Sequence, residues 1–370
     1  MKKQHLYSSV LGILLSVYIG IMAILNIFTS DKVFSESENR RLEQAPKFSM
    51  SQIVDGRFTS NYEKYISDQF PFRDFWIGVK STSERLLGKR ENNEVYLSRD
   101  GYLMEKFKKP DMEVISSKIH DINLLGQNLL DIDKYFMLVP NSVKILEDKL
   151  PYYAPNGDEL VYINKIRDSI HNSINFIDIY DVLYAHRDEY IFYKTDHHWT
   201  TRGAYLAYKS LMDCMDIPSH NEDYFDIKRV ADDFYGSLYS KSGFRNIKPD
   251  TIELYIPKEN EELRVEYVDE KRVVDSIYNL ENLKKKDKYT VFLDGNYPLI
   301  KIKTNINTKD RLLIIKDSYA NSMVPFLTGH FHEIYIVDPR YYDKDIDELM
   351  RDREINKLLI LYNAKTFFSN

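Results

Sequence analysis

The sequence predicts an α/β protein in which helices cover both faces of a mainly parallel sheet, preceded by one N-terminal transmembrane helix. Short apolar runs recur along the chain, and helical patterns separate several of them, as is typical of strand–helix–strand units. A long uncharged segment near the N-terminus supplies the predicted membrane helix. The chain has 370 residues, 43% of them hydrophobic, which is enough to bury the core of such a fold.

The uncharged segment is 6-LYSSVLGILLSVYIGIMAILNIF-28. At about 1.5 Å per residue, it is long enough to cross the roughly 30 Å hydrocarbon core of a bilayer. A cleaved signal peptide would have a shorter apolar region and small residues after it, whereas residues 26–28 are large. We therefore expect residues 1–30 to form a cytoplasmic start and an uncleaved anchor. Lys2 and Lys3 favour a cytoplasmic N-terminus, although two arginines beyond the span weaken that bias.

The chain beyond the anchor is predicted to be a tether followed by a folded domain. Residues 31–55 are polar and contain a proline, which suits an extracytoplasmic tether. Residues 56–370 are predicted to form the folded domain. Helical patterns occur at 57–88, on both sides of a Phe70–Pro71 break, and at 113–131.

Short apolar runs mark the predicted buried strands. They are 134-KYFMLVP-140, 175-NFIDIY-180, 289-YTVFL-293, 312-LLII-315, 334-IYIV-337 and 358-LLILY-362. The segment at about 244–288 is less regular and contains acid-rich and lysine-rich stretches. It is predicted to be an irregular insertion with solvated faces.

Composition limits the classes of function. The 57 acidic residues outnumber the 51 basic ones, the net charge is −6, and no basic block stands out, so no nucleic-acid partner is expected. The single cysteine, Cys214, cannot form an intramolecular disulfide, and its helical surroundings predict a small buried side chain. We expect no cofactor.

One serine follows an apolar strand at the point where a helical pattern begins. In 311-RLLIIKDSYANSMVPFL-327 the apolar run ends at Lys316, and Ser318 stands at the predicted helix N-terminus. Unpaired backbone N–H groups and the positive end of the helix dipole stabilise a developing oxyanion at such a position. Simple capping of the helix by Asp317 or Ser318 explains the pattern equally well.

A second polar cluster is 196-DHHW-199. In an extended chain Asp196 and His198 share one face, and His197 points away. A serine hydroxyl needs a base to take its proton and an acid to hold that base in the right tautomer. Ser318, His198 and Asp196 fit these three roles.

A metal site is an alternative role for the acid and the two histidines, since all three are good ligands. Neighbouring histidines point apart, however, and the sequence offers no adjacent cysteine or H-x-x-x-H pair. We therefore predict no metal. A purely structural Asp–His turn is a further alternative.

Gly295 and Asn296 follow the predicted strand 289–293. An asparagine amide at this place can donate to an oxyanion beside the backbone N–H of Ser318, which makes Asn296 the candidate oxyanion donor. A Gly–Asn turn between strands needs no catalytic purpose and is the simpler interpretation.

The sequence resembles the DHHW proteins, which are relatives of the AlgJ- and AlgX-type alginate O-acetylation proteins and of SGNH-type esterases. The resemblance spans most of the chain after the anchor. It rests on 68-DQFPFRD-74, 196-DHHW-199, 292-FLDGNYPL-299, 316-KDSYANSMVPFL-327 and 338-DPRYY-342. It implies an SGNH hydrolase-like fold for residues 56–370, with Ser318 as nucleophile, His198 as base and Asp196 as its orienting acid.

The sequence departs from the SGNH pattern at two places. Lys316 replaces the glycine that SGNH esterases have before Asp-Ser, and their Gly-x-Asn oxyanion element is reduced to Gly295–Asn296. The oxyanion role of Asn296 is therefore the weakest of the implied assignments.

The resemblance implies an extracytoplasmic O-acyltransferase that moves an acyl group, usually acetyl, to a polysaccharide hydroxyl. The implied partners are an exported or cell-wall polysaccharide as acceptor and a membrane-bound O-acyltransferase as acyl donor. The implied location is the cell membrane, crossed once by residues 6–28, with the catalytic domain outside the cytoplasm. Two other classes stay open: a secreted carbohydrate esterase with the same triad, and a non-catalytic cell-envelope assembly protein.

Tyr319 and Arg340 are the candidate substrate-binding residues. Tyr319 follows the candidate nucleophile and has a ring that can stack on a sugar, and Arg340 lies just beyond a predicted strand. The alternatives are core packing for Tyr319 and a salt bridge for Arg340.

Overall fold

The computed structural model describes residues 2–35, 37–38, 40–129, 131–259 and 262–369. The chain divides into two compact units, one formed by Met1–Lys89 with Gly243–Asn246 and the other by Arg90–Ser242 with Ile247–Asn370. We call the first the N-terminal unit and the second the sheet unit. The predicted domain limits at residues 30 and 55 stay predictions.

The N-terminal unit contains the predicted membrane helix. Its elements are α1 (Lys2–Phe28), β1 (Phe34–Ser35), β2 (Arg40–Arg41), α2 (Met50–Val54), α3 (Arg57–Asp68) and α4 (Arg73–Leu86). The segment Tyr7–Phe28 is long and apolar enough to cross a membrane, and only 6% of the residues in its most apolar stretch are buried. By length and composition, this one helix is consistent with a single-pass anchor. Helices α3 and α4 confirm the predicted break at Phe70–Pro71.

Part of the predicted tether folds against α3. The Arg40 guanidinium donates two hydrogen bonds to the Asp68 carboxylate, at 2.9 and 2.6 Å. Gln69 Nε2 donates to the carbonyl oxygens of Lys32 and Glu43, each at 2.9 Å. Because Asp68 and Gln69 stand at the C-terminal end of α3, these bonds fasten the segment that follows α1.

The sheet unit holds the remaining elements. Its helices are α5 (Met112–Asn128), α6 (Ser142–Ile145), α7 (Glu159–Ser169), α8 (Tyr180–Ala185), α9 (Thr201–Cys214), α10 (Ser237–Ser242), α11 (Ile346–Asp352) and α12 (Ala364–Phe368). Its strands are β3 (Glu91–Asn92), β4 (Val95–Leu97), β5 (Leu103–Glu105), β6 (Asp133–Val139), β7 (Asn175–Ile177), β8 (Phe225–Phe234), β9 (Asp250–Pro257), β10 (Arg264–Tyr267), β11 (Arg272–Val274), β12 (Leu299–Lys303), β13 (Arg311–Lys316), β14 (Glu333–Val337) and β15 (Lys357–Asn363). Five of the six predicted strands are confirmed by β6, β7, β13, β14 and β15.

The large sheet has eight strands in the order β11-β10-β12-β14-β13-β15-β6-β7. The five strands from β14 to β7 run parallel, and β11, β10 and β12 are antiparallel. The fold is therefore a mixed α/β structure with a large, mostly parallel sheet. Carboxyl ends of parallel strands meet at one edge, so the segments after β6, β13, β14 and β15 lie along the same edge.

Helices cover both faces of the large sheet. Alternate residues of each strand point to opposite faces. On one face Met137, Ile314 and Leu359 belong to a core cluster that includes the buried side of α9. On the other face the core cluster contains residues of α5, α7 and α11 together with the intervening strand residues, such as Leu313. The near-continuous apolar runs of the central strands follow from burial on both faces.

The segment at about 244–288 is more regular than predicted. Strand β9 pairs with β8, while β10 and β11 extend the large sheet. Val265 and Tyr267 alternate with polar residues and are buried, so one face of β10 joins the core.

Three local predictions were wrong. The segment 289–293 forms a 3-10 helix, Lys288–Val291, rather than a strand, because its apolar side chains fill a separate small core cluster. The stretch from Ser318 onward forms two short 3-10 helices rather than one longer helix, and Pro325 is the second residue of the second one, Val324–Phe326. Cys214 is exposed at the end of α9, whose buried face is formed instead by residues such as Leu211.

Candidate active site

Ser318 lies two residues after the end of β13, at the first position of the 3-10 helix Ser318–Ser322. The preceding residue, Asp317, is the cap of this helix. Its Oδ1 accepts from the backbone N–H of Tyr319 at 2.9 Å, and its Oδ2 accepts from that of Asn363, at the end of β15, also at 2.9 Å. Asp317 thus ties the serine turn to two strands, and the capping role falls to Asp317 rather than to Ser318.

The 196-DHHW-199 segment is a tight turn closed by a β-bridge, not the extended chain we predicted. The Asp196 side chain stabilises the turn, because its Oδ1 accepts from the His198 backbone N–H at 3.0 Å. The prediction that His197 points away was wrong, since its ring lies beside that of His198 with centroids 3.8 Å apart. Asp196 and His198 nevertheless come together, as predicted from their spacing.

Ser318, His198 and Asp196 form one continuous hydrogen-bonded chain. His198 Nε2 lies 2.8 Å from Ser318 Oγ, and His198 Nδ1 lies 2.6 Å from Asp196 Oδ1. A carboxylate can only accept, so Nδ1 carries the proton and Nε2 is left to accept from the hydroxyl. Asp196 and His198 are buried, while Ser318 is partly exposed and accessible to a substrate. This is the geometry of a serine nucleophile with a base and an orienting acid.

The second oxygen of Asp196 is held by the start of α10. Oδ2 accepts from the backbone N–H of Ser237 at 2.7 Å. Gly236 lies so close to the Asp196 side chain that a Cβ at this position would overlap with it. Burial alone would raise the pKa of Asp196, but the two adjacent imidazoles and these hydrogen bonds lower it. The carboxylate therefore stays ionised and fixed in orientation.

Tyr289 is a site residue that sequence reasoning missed. Its ring stacks on the His198 imidazole, with centroids 3.7 Å apart and planes 9° apart. Its hydroxyl lies 3.1 Å from both the Ser318 carbonyl oxygen and Ser322 Oγ. Tyr289 therefore fixes the plane of the base and contacts the serine helix at the same time. Its apolar neighbours in the sequence predict a strand, and no signal in that run points to a role beside the base.

Trp199 joins the histidine turn to the serine helix. Its indole Nε1 lies 3.0 Å from both the Tyr319 carbonyl oxygen and Ser322 Oγ, and the side chain is fully buried. A buried indole N–H needs an acceptor, and both acceptors belong to the helix that begins at Ser318. The tryptophan of the motif thus sets the position of His198 relative to Ser318.

The structure does not present Tyr319 to a substrate, so the prediction of a sugar-stacking role was wrong. Tyr319 is 1% exposed, packs against Trp199 and His198, and donates its hydroxyl to the His197 carbonyl oxygen. The imidazole of His197 is held in turn by Ser237, with Nδ1 2.7 Å from the serine Oγ. Burial, and then the neighbouring His198, lower the pKa of His197 to about 4, so this imidazole is neutral near pH 7.

The candidate metal ligands Asp196, His197 and His198 do lie together, each offering a ligand atom within 4.8 Å of the others. Both ring nitrogens of His198 and Nδ1 of His197 are, however, used in hydrogen bonds: His198 with Asp196 and Ser318, and His197 with Ser237. The arrangement can therefore serve proton transfer without rearrangement, whereas metal binding would have to displace these bonds.

Asn296 and Arg340 lie near the same sheet edge as Ser318 but make no direct contact with the triad in the described part of the chain. Asn296 is exposed, and its Oδ1 accepts from Lys316 Nζ at 2.6 Å. Arg340 forms a two-point salt bridge with the buried Asp338, at 2.8 and 2.6 Å. A salt bridge is the alternative to substrate binding that the sequence suggests for this residue. The oxyanion role of Asn296 and the substrate role of Arg340 stay predictions.

A cavity of about 510 Å³ opens beside His197. Its walls include Glu105, Phe107, Glu159, His197, Lys241 and Lys365. Lys241 and Lys365 both contact the Glu105 carboxylate, so this part of the wall places two cations around one anion. Because the His197 ring touches that of His198, the cavity adjoins the candidate active site.

One wall of the cavity holds a buried carboxyl group. Glu159 is fully buried and accepts from the backbone N–H and the side-chain amide of Asn141, at 2.8 and 2.6 Å. Burial raises the pKa of Glu159 to about 7, although the two bonds from Asn141 oppose the effect. The folded state therefore holds this proton more tightly than the unfolded state does, and folding stability falls as pH rises from about 4.5 to 7.

Glu159→Gln is expected to remove that pH dependence. The unfolding free energy of the variant minus that of the wild type should increase by up to about 3 kcal/mol from pH 4.5 to pH 8. This follows because a pKa difference of one unit between the folded and unfolded states corresponds to about 1.4 kcal/mol. Urea denaturation of the full-length protein in detergent at both pH values measures the effect. Glu113→Gln, in the exposed first turn of α5, is the matched control. A difference between wild type and Glu159→Gln that does not change with pH would contradict the prediction.

Comparison with known proteins agrees with the architecture. Residues 115–337 match the family model described as DHHW protein. A DHHW family protein from Eubacterium siraeum has a crystal structure with a TM-score of 0.64 and 24% identity, covering 76% of this chain and 94% of that chain. Bacillus cereus PatB1, in a structure with a sulfonyl adduct, gives a TM-score of 0.65 and 22% identity over 75% of this chain and 96% of that chain. A search of curated proteins finds no significant sequence match.

At these identities the solved structures show a shared fold. The family match is independent of them and covers more than half of the 370 residues, including 196-DHHW-199 and Ser318. The chain therefore belongs to the DHHW protein family.

Proposed function

We propose that this chain is a membrane-anchored, extracytoplasmic O-acyltransferase with an SGNH hydrolase-like active site. It moves an acyl group, acetyl in the first instance, through an ester on Ser318 to hydroxyls of an exported or cell-wall polysaccharide. The observation that carries the proposal is the hydrogen-bonded chain from Ser318 Oγ through His198 to Asp196. A nucleophile, its base and an orienting acid are the groups that acyl transfer through a serine ester requires.

In the first half of the reaction, His198 Nε2 takes the Ser318 proton as Oγ attacks the acyl carbonyl carbon. The resulting tetrahedral intermediate collapses, the bond to the leaving group breaks, and His198 returns the proton to that group. Asp196 holds the Nδ1 proton and stabilises the imidazolium. Asn296 and the backbone N–H of Ser318 are the proposed donors to the oxyanion.

In the second half, a sugar hydroxyl gives its proton to His198 Nε2 and attacks the acyl-serine carbonyl. The ester bond to Ser318 breaks, and Oγ recovers the proton from His198. Transfer rather than hydrolysis requires that the sugar exclude water from the site. The cavity beside His197 is the proposed acceptor site, because its wall adjoins the base and includes cationic and aromatic side chains.

The acyl donor is proposed to be a membrane-bound O-acyltransferase, because acetyl-CoA is not available outside the cytoplasm. The apolar helix Tyr7–Phe28 supports this arrangement, since it would hold the catalytic unit near its donor. The runner-up function is a carbohydrate esterase with the same triad, in which water replaces the sugar in the second half. A glycan acceptor that shortens the lifetime of the acyl-enzyme favours the transferase, and an acceptor without effect favours the esterase.

The purified protein is expected to take acetyl from a surrogate ester such as p-nitrophenyl acetate and not from acetyl-CoA. Deleting residues 1–30 should leave the surrogate activity intact, because the deleted segment contributes no proposed active-site residue. In cells, the same deletion exported by a cleavable signal should reduce glycan acetylation, since confinement near the donor is lost. A reporter fused to the C-terminus that is active only in the cytoplasm would overturn the proposed topology.

A further inference from the structure

A buried cation stands two residues before the proposed nucleophile. Lys316 is the last residue of β13 and is 0% exposed. Its Nζ donates to Asn296 Oδ1 at 2.6 Å and to Asn321 Oδ1 at 2.8 Å. A carboxylate, Asp338, lies 3.7 Å away but is already engaged by Arg340 at 2.6 Å. The closest contacts of this lysine are therefore two neutral amide oxygens, which is an unusual use of a buried charge.

These contacts fix the orientation of the Asn296 side chain. Asn296 Oδ1 accepts from Lys316 and also from Asn321 Nδ2, the latter at 3.2 Å. A flipped amide would turn Nδ2 toward two donors, so only one orientation is satisfied. That orientation leaves Nδ2 as a free donor, and within the described residues it donates to no protein acceptor.

The loop that carries Asn296 is held in a strained conformation. Leu293, Asp294 and Gly295 all have positive φ values, of 57°, 56° and 105°, which only glycine adopts readily. Asp294 is anchored by Arg272 at 2.6 Å and by Asn282 at 2.7 Å. Strained backbone persists where the surroundings enforce it, and it often positions a functional group. Here the group carried by the strained turn is the amide of Asn296.

We propose that Lys316 is a positioning residue, which holds Oδ1 of Asn296 so that Nδ2 donates to the oxyanion formed during acyl transfer at Ser318. The inference rests on the proposed function. It also accounts for the lysine at a position where SGNH esterases have glycine, since the charge polarises the amide and makes Nδ2 a stronger donor.

A double-mutant cycle with p-nitrophenyl acetate and the full-length protein tests this role. Asn296→Asp keeps an oxygen for Lys316 but lacks the N–H, so kcat should fall about 10²–10³-fold, as for other oxyanion donors. Lys316→Met should lower kcat at least about tenfold with KM nearly unchanged, because the bond that it weakens, from Asn296 Nδ2 to the oxyanion, is made only in the transition state. Lys316→Met in the Asn296→Asp background should cause no further loss. Lys301→Met, on strand β12 of the same sheet, is the matched control and should retain wild-type kcat.

The pH profile provides a second measurement if Lys316→Met does not fold. Burial lowers the pKa of Lys316 to about 8, against the opposing effects of Asp338 and Asp317, and Arg340 lowers it further. The wild-type kcat should therefore decline above about pH 8 as the lysine loses its charge, and Asn296→Asp should lack that decline.

The outcomes separate this inference from the proposed function. Wild-type kcat in Lys316→Met, additive losses in the double variant, or the same alkaline decline in Asn296→Asp would overturn the positioning role while leaving the triad intact. Retained turnover in Ser318→Ala would overturn both, because there would be no oxyanion at Ser318 for Asn296 to stabilise.

Discussion

Replacing Ser318 with alanine is expected to abolish acetyl release from p-nitrophenyl acetate, with a loss of about 10⁶-fold in kcat. In the proposed mechanism this hydroxyl forms the acyl-enzyme, and its Oγ lies 2.8 Å from His198 Nε2. Removing it leaves His198 and Asp196 in place, so folding should be little affected. Steady-state kinetics and the thermal midpoint of the variant measure the two effects separately.

Ser276→Ala is the control for this substitution, because Ser276 is an exposed serine in the same unit whose hydroxyl bonds to the backbone of Tyr278. The Ser276→Ala variant should retain wild-type turnover, and a sulfonyl fluoride should label its Ser318 as in the wild type. Unchanged turnover in Ser318→Ala would rule out the serine mechanism in both its transferase and its esterase forms.

His198→Ala is expected to lose about 10⁴–10⁶-fold in kcat, and His197→Ala less than about tenfold. The contrast follows from geometry: His198 Nε2 contacts Ser318 Oγ, whereas the His197 ring bonds to Ser237. His197→Ala should instead lower the free energy of unfolding by about 1 kcal/mol, the typical value of one lost hydrogen bond. Kinetics with a surrogate ester and urea denaturation of both variants measure the difference.

The two histidines also decide between proton transfer and metal chemistry. With Asp196 they form a group that is compact enough to bind an ion, so a metal mechanism predicts that both histidine variants lose activity. It also predicts that a chelator abolishes turnover and that added zinc restores it. A serine-triad mechanism predicts that a chelator leaves turnover unchanged and that, of the two histidine variants, only His198→Ala loses it strongly.

The triad could be predicted from sequence because each part carries a local signal. Ser318 follows an apolar strand, and the two-residue spacing of Asp196 and His198 brings them together even though the segment is a turn rather than a strand. The turn itself was missed, because the bonds that close it depend on the Asp196 side chain and on backbone contacts across a bridge. The types and spacing of Asp196 and His198 therefore predicted their contact, although the predicted extended backbone of this segment was wrong.

The residues that support the triad were less accessible to sequence reasoning. Tyr289 stands in an apolar run whose pattern equally fits a strand, and only the folded chain shows that its ring stacks on His198. Its place after the nucleophile makes Tyr319 a candidate for substrate binding, with core packing as the alternative, and its position in a 3-10 turn buries it. The contacts between Lys316 and Asn296 join residues twenty positions apart and depend on the path of a strained loop.

Passage of an acyl group through Ser318 to a glycan can be followed by measuring the mass of the intact protein. The full-length protein is exposed briefly to p-nitrophenyl acetate, quenched, weighed and mapped by peptide, with and without a polysaccharide acceptor. We expect one added acetyl group on the peptide that contains Ser318, faster loss of that group when the acceptor is present, and acetyl recovered on the glycan. An acetyl group on another residue, or none on the protein during active turnover, would rule out Ser318 as the carrier of the acyl group.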